Sequence, residues 1–308
     1  MTKRQELEHH RRGLGEIRDI MNSMKTLAFM ETRKLNRFLS SQQAVVRSIE
    51  ETAADFLSFH PETLPDISET NQVYLLIGTE RGFCGDFNQS LLHHLESTLQ
   101  THLQEEALVI AVGRKLHALM ENAANQVTLI DGPSVAEEVM SILNQVVQTL
   151  SSLQERHGIL PLYGLYHGID GGIVMQKLLP SFQHYLHQPA HFSNPPALNL
   201  APANFLLELT EQYLFAALHE ILYTSLMAEN RNRVAHLEGA VKHLDDKSEE
   251  LSRKSNALRQ EEIIEEIEVI LLSSGGDEDW HQHTMLRGKD PQWTRGKSIR
   301  TRQDQVKH

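Results

Sequence analysis

One cysteine, Cys84, is all the chain holds in 308 residues, which excludes an intramolecular disulfide and suits a reducing compartment. No run approaches the roughly 18 apolar residues that a membrane helix needs, so any membrane association has to pass through partner proteins. The opening stretch "MTKRQELEHHRRG" is charged and has no apolar core, and a secretory signal is not expected there. Positive charge is scarce: Lys and Arg number 29 against 41 Asp and Glu, a net of −12, which disfavours nucleic acid as the main partner. The G-x-G-x-x-G, G-x-x-x-x-G-K-[ST], H-E-x-x-H, G-x-S-x-G and C-x-x-C patterns are all missing, so hydrolytic and redox enzymes lose their usual support. Hydrophobic residues make up 40%, enough for one large domain or two modest ones.

Proline is also absent from Ala203 to Leu272, and this predicts one helix of roughly 100 Å. Within it Leu237, Leu244, Leu251 and Leu258 recur every seven residues, with Val234, Val241, Ser248 and Ser255 three places before each. A seven-residue repeat keeps one seam on one side of a helix and requires a partner for it. The N-terminal segment has the matching property. Leu7, Leu14, Met21, Ala28 and Leu35 form one row and Ile17, Met24, Phe38 and Val45 a second, until the prolines of "HPETLPD" stop the pattern. Gly13 and Gly15 each cost about 1 kcal/mol against alanine, so fraying or a bend is expected at that end. The two seams are predicted to pack as an antiparallel coiled coil.

Between them, "QVYLLIG", "ALVIAVG" and "QVTLIDG" alternate with helical stretches, the sequence of a mostly parallel sheet covered by helices. "LPLYGLYHGI" and "GGIVMQKLLP" follow, joined by Asp170-Gly171-Gly172 as a hairpin. The proline-rich stretch 187–202 reads as a loop leaving this domain. The expected class is therefore α/β with long helices: an antiparallel coiled coil of N- and C-terminal helices plus a Rossmann-like domain. Its boundaries are 1–60 for the N-terminal helix, 71–200 for the α/β domain, 203–275 for the C-terminal helix and 277–308 for a polar tail that reads as disordered.

"GTERGFCGDFN", residues 78–88, is the densest glycine cluster and lies between a strand and a helix. Such a loop either cradles a phosphate or makes a structural turn. Without the lysine and hydroxyl of a phosphate loop, and with Asp86 to repel an anion, the turn is favoured. Cys84, near Arg81 and ahead of a helix, is read as a buried structural cysteine rather than an activated thiol. The histidine pairs His9–His10, His93–His94 and His281 with His283 lack further ligands at metal spacing and are read as surface residues. Past Leu258 the apolar set moves to Ile263, Ile264, Ile267, Ile270 and Leu271, so the last turns face either a surrounding protein collar or the helix's own domain. Arg259 and Gln260 just before them offer a planar cation and an amide suited to carboxylates or backbone.

Three separated stretches together resemble one family, the gamma subunit of rotary F-type ATP synthases. "EIRDIMNSMKTLAFMETRKLNR" is similar to its N-terminal helix at Ile20, Met24, Lys25 and Ala28. "TERGFCGDFN" matches its glycine loop at Arg81, Gly82, Cys84, Gly85 and Asn88, and residues 226–270 resemble its C-terminal helix. The likeness covers about residues 3 to 275. It implies a rotor that transmits torque between a membrane ion ring (c-ring) and a catalytic ring of alpha and beta subunits, with no catalytic residue or cofactor of its own. It further implies that Met24, Lys25, Arg259 and Gln260 contact a beta subunit, and that Ile263, Ile264, Ile267, Ile270 and Leu271 turn in an apolar sleeve. The epsilon subunit is the other implied partner, and 181–202 is the candidate foot contact. The implied place is the cytoplasmic face of a bacterial inner membrane, peripheral and without direct insertion. The alternative is a nucleotide-dependent α/β enzyme using Gly78–Asn88. Departures from the family pattern, namely Asn22, Ser23, Asp86, the glycines at 13 and 15 and the tail past Gly276, point to a divergent, sodium-type branch, with proton coupling as the family's usual case.

Overall fold

The computed structural model describes residues 3–64, 72–101, 107–120, 126–158, 160–186 and 192–274. The tail 277–308, His281 and His283 with it, lies outside the described residues, as does part of the 187–202 loop. Among the described residues five α-helices and five strands follow in the order α1 (Lys3–Leu57), β1 (Val73–Ile77), α2 (Phe87–Thr101), β2 (Leu108–Val112), α3 (Arg114–Met120), β3 (Gln126–Ile130), α4 (Val139–His157), β4 (Leu162–His167), β5 (Ile173–Leu179) and α5 (Pro202–Ser274). The chain forms two compact units, one of Arg11–Glu249 and one of Met1–His10 with Glu250–His308.

In the larger unit the sheet order is β3-β2-β1-β4-β5. The first four strands are parallel and β5 runs antiparallel to β4. The glycine turn expected at Asp170–Gly172 makes that hairpin, closed by Gly168 N–H donating to Gly172 O at 2.8 Å, with Gly171 at φ +82°. Side-chain alternation along β1 divides the core in two. Val73, Leu75 and Ile77 join a core built with α1, α4 and α5. Tyr74 and Leu76 point the other way and pack with α2 and α3. Both faces of the sheet are thus covered, which explains why β1 is apolar at every position instead of alternating.

The pairing of α1 with α5 in this unit is antiparallel, because contacts move down one helix as they move up the other. Phe56 meets Phe205, Gln42 donates to Ala216 O, Phe38 stacks on Tyr223 and Arg18 binds Asp245. The α5 seam is buried or half-buried at Val234, Leu237, Val241, Leu244 and Ser248. The α1 rows fare differently. Ala28 and Leu35 are buried, but Ile17, Phe38 and Val45 are 44–48% exposed, and Leu39 and Val46 take the buried positions instead. Leu39 and Val46 lie four rather than three places after the row of Leu35, the other spacing that shares a helix face.

In the smaller unit, Arg4 Nε lies 3.1 Å from Glu262, and Leu251 and Ser255 are buried. α1 continues through Gly13 and Gly15 from Lys3, in place of the expected fraying. A β-carbon added at either glycine meets nothing within 4 Å. The glycines therefore cost helix propensity without serving a close contact. The Gly13→Ala/Gly15→Ala chain should gain up to about 2 kcal/mol of stability, read as a raised melting temperature by circular dichroism.

Candidate functional site

The loop of residues 78–86 leaves the carboxyl end of β1, next to β4, where the crossover direction of the sheet reverses. In open α/β sheets this crevice is the usual ligand site. Here α5 fills it. Ser225 Oγ donates to Ile77 O at 3.1 Å, and Arg231 Nη1 donates to Ile169 O at 2.8 Å just past β4.

The donors at the start of the loop are already engaged. The backbone N–H groups of Glu80 and Arg81 each donate to the Glu229 carboxylate at 3.3 Å. Glu80 in turn accepts from Arg114 N–H at 3.0 Å and Gly132 N–H at 2.8 Å. Arg233 forms an ion pair with Glu229, both side chains being about 5% exposed or less, and it donates to Gly82 O at 3.1 Å and to Cys84 Sγ at 3.4 Å. Burial pushes the Glu229 carboxyl upward, while Arg233 and the two loop N–H groups pull it down. A phosphate entering here would find its donors taken by carboxylates and would meet their charge, which argues against the Gly78–Asn88 nucleotide site.

The residues expected to shape this loop do come together. Asn88 accepts from Thr79 N–H at 3.0 Å and donates to Thr79 Oγ1 at 2.9 Å, tying the loop's end to its start. Gly78 sits so close to α3 that a β-carbon would lie 2.7 Å from Leu116 Cβ, and Gly85 holds φ +65°. Arg81 is exposed and Gly82 half-buried. Glu229 and Arg233, which anchor the loop, were not singled out by sequence reasoning. Their spacing of four on a helix is a weak signal alone; the one sequence clue is that Glu229 directly follows the apolar run Leu226–Ala228.

Cys84 is buried, and its thiol is pushed up from 9.0 to about 12, chiefly by burial, with Arg233 opposing. It behaves as a structural cysteine. At a given pH its thiolate population should be about a thousandfold below that of an ordinary thiol, so iodoacetamide should label it only on unfolding. The sign of the pH dependence follows. The neutral thiol's contribution to stability is full below pH 9.0 and is lost as pH rises towards about 12.

Met24 and Lys25 are half-buried on α1. Met24 lines a cleft of about 250 Å³ with Glu31, Arg81 and Arg233. Arg259 and Gln260 belong to the smaller unit and are exposed. Beyond them Ile263, Ile264, Ile267, Ile270 and Leu271 are 45–63% exposed, and Leu272 reaches 82%. His9, His10 and His93 are exposed and His94 is half-buried. Among the described residues no three His, Cys, Asp or Glu side chains are grouped to hold a metal, and no helix is long and apolar enough to cross a membrane.

A family model described as ATP synthase matches residues 3–274. A curated ATP synthase gamma chain from Clostridium botulinum, Langeland strain, is 23% identical over 272 residues, spanning 85% of this chain and 94% of its own length. One from Clostridium perfringens is 22% identical, with 86% and 95% covered. Among solved structures, a rotor chain of the Euglena gracilis mitochondrial ATP synthase superposes with a TM-score of 0.55 at 13% identity, covering 84% of this chain and 98% of that one. A chain of the central stalk and c-ring of the Tetrahymena thermophila enzyme gives 0.52 at 16% identity, covering 72% and 99%.

Proposed function

Because this chain belongs to the ATP synthase family, as a central-stalk gamma chain, we propose that it transmits torque between a membrane ion ring and a catalytic ring of alpha and beta subunits. Its role in ATP chemistry is to couple, and it brings no catalytic residue of its own. The observation that carries this reading is the uncovered isoleucine face at the end of a 73-residue helix. Exposed apolar surface of that kind marks a protein contact, and with no membrane-crossing helix among the described residues a protein sleeve is the fitting environment.

On this reading residues 1–60 and 203–275 are the two arms of the shaft, 71–200 the body, and 277–308 a polar appendage. Ile263, Ile264, Ile267, Ile270 and Leu271 turn within the sleeve. Arg259 and Gln260, exposed one turn earlier, hold a loop of a beta subunit, which Met24 and Lys25 also approach. The glycine loop at Arg81, Gly82, Cys84, Gly85 and Asn88 is a structural clasp. The epsilon subunit and the membrane c-ring meet the body, with 181–202 as the contact. The complex sits on the cytoplasmic face of a bacterial inner membrane, coupled to protons or sodium.

The test is retrieval of partners by a tagged chain, followed by mass spectrometry. Alpha, beta and epsilon subunits are the expected companions; their absence, with ATP bound by the chain alone in calorimetry, would restore the nucleotide-enzyme reading. The Arg259→Ala chain should melt within about 0.5 kcal/mol of the parent, as exposed changes do, yet retrieve less beta subunit or support weaker coupling. Unchanged retrieval and coupling would remove Arg259 from the contact.

A further inference from the structure

The end of α5 has two opposite faces. From Glu261 to Ser274 the helix carries five glutamates and no lysine or arginine. At about 100° per residue, Glu261, Glu262, Glu265, Glu266 and Glu268 fall on one side and the isoleucine face on the other. On the acidic side Arg4, Gln5, Glu262, Glu265, Glu266, Val269 and Ile270 line an open groove of about 690 Å³. Its lining is part acidic and part apolar. Arg4 binds Glu262, but among the described residues Glu265 and Glu266 have no ion-pair partner.

Beyond the family match, which ends at residue 274, the sequence supplies a complementary segment. Residues 287–308 contain seven Lys or Arg against two Asp and no Glu, a net of +5, which equals in size the −5 of the helix end. That segment also carries Trp293, Ile299 and Val306. We propose that the basic segment Arg287–His308 docks in the Arg4–Ile270 groove of its own chain, its lysines and arginines on the glutamate rim and its apolar side chains on Val269 and Ile270.

Reach permits it. The twelve residues Gly275–Leu286 span up to about 40 Å when extended, whereas the helix rises only about 18 Å from Glu262 to Ser274. Tethering raises the segment's effective concentration at the groove to the millimolar range, so individually weak surface ion pairs suffice collectively. The rest of the isoleucine face, Ile263, Ile264, Ile267 and Leu271, stays free, and the proposal does not depend on a ring around it.

Carbodiimide cross-linking of the full-length chain with mass spectrometry tests this. Lys289, Lys297 or Lys307 should link to Glu262, Glu265 or Glu266, and the yield should fall about tenfold between about 0.01 M and 1 M salt, as the screening length contracts from about 30 Å to about 3 Å. The Lys254–Glu250 pair, 2.6 Å apart on the same helix, serves as internal reference. In the Glu265→Gln/Glu266→Gln chain, whose helix is checked by circular dichroism, the remaining links to Glu262 should drop several-fold. Links scattered over other carboxylates, or none, would overturn the proposal. So would links that join isotopically light copies to heavy ones, which would assign the groove to a second copy.

Discussion

In the Glu229→Ala chain, stability should fall by about 3–5 kcal/mol, because Arg233 is left as an uncompensated buried charge. The Glu80 and Arg81 N–H groups lose their acceptor in the same step. Since Arg233 also holds Gly82 O and Cys84 Sγ, the clasp should loosen, and Cys84 should become open to iodoacetamide while the sheet stays folded. Replacing both partners, as in Glu229→Leu/Arg233→Met, should cost much less than the single change, since no charge is then stranded. Denaturant unfolding of the three chains measures the difference. A single variant no worse than the double would show that the pair does not anchor the loop.

The second large effect is expected at the other end of α5. Ile263, Ile267 and Ile270 are 45–62% exposed, so the Ile263→Asp/Ile267→Asp/Ile270→Asp chain should fold as the parent does. In an apolar sleeve each isoleucine contributes about 1.5–3 kcal/mol, and a carboxylate placed there must shed water without a partner. Coupled ATP turnover should therefore fall by more than about tenfold, with the melting temperature of the isolated chain unchanged. Full coupling by this variant would leave the isoleucine face without a role.

Much of this was legible in the sequence because it rests on periodicity. Strand alternation with helices gave the sheet, the Asp170–Gly172 turn gave the hairpin, and the α5 leucines marked the buried seam. What periodicity could not supply is long-range chemistry. Nothing near Thr79 in sequence shows that Glu229, some 150 residues on, occupies the donors of the glycine loop. The α1 rows were misjudged for a related reason. The second row is placed three residues after the first, whereas the helix buries Leu39 and Val46, four places on, instead of Phe38 and Val45. The glycines at 13 and 15 were overweighted, since local propensity is small beside a partner helix.

The most direct test of the central claim is ATP-driven ion uptake by vesicles carrying the complex, prepared without this chain and then with it restored. The account predicts uptake only after the full chain is added, none from a chain ending at residue 202, and no ATP hydrolysis by the chain alone. Equal uptake with the truncated chain, or hydrolysis by the isolated protein, would contradict it.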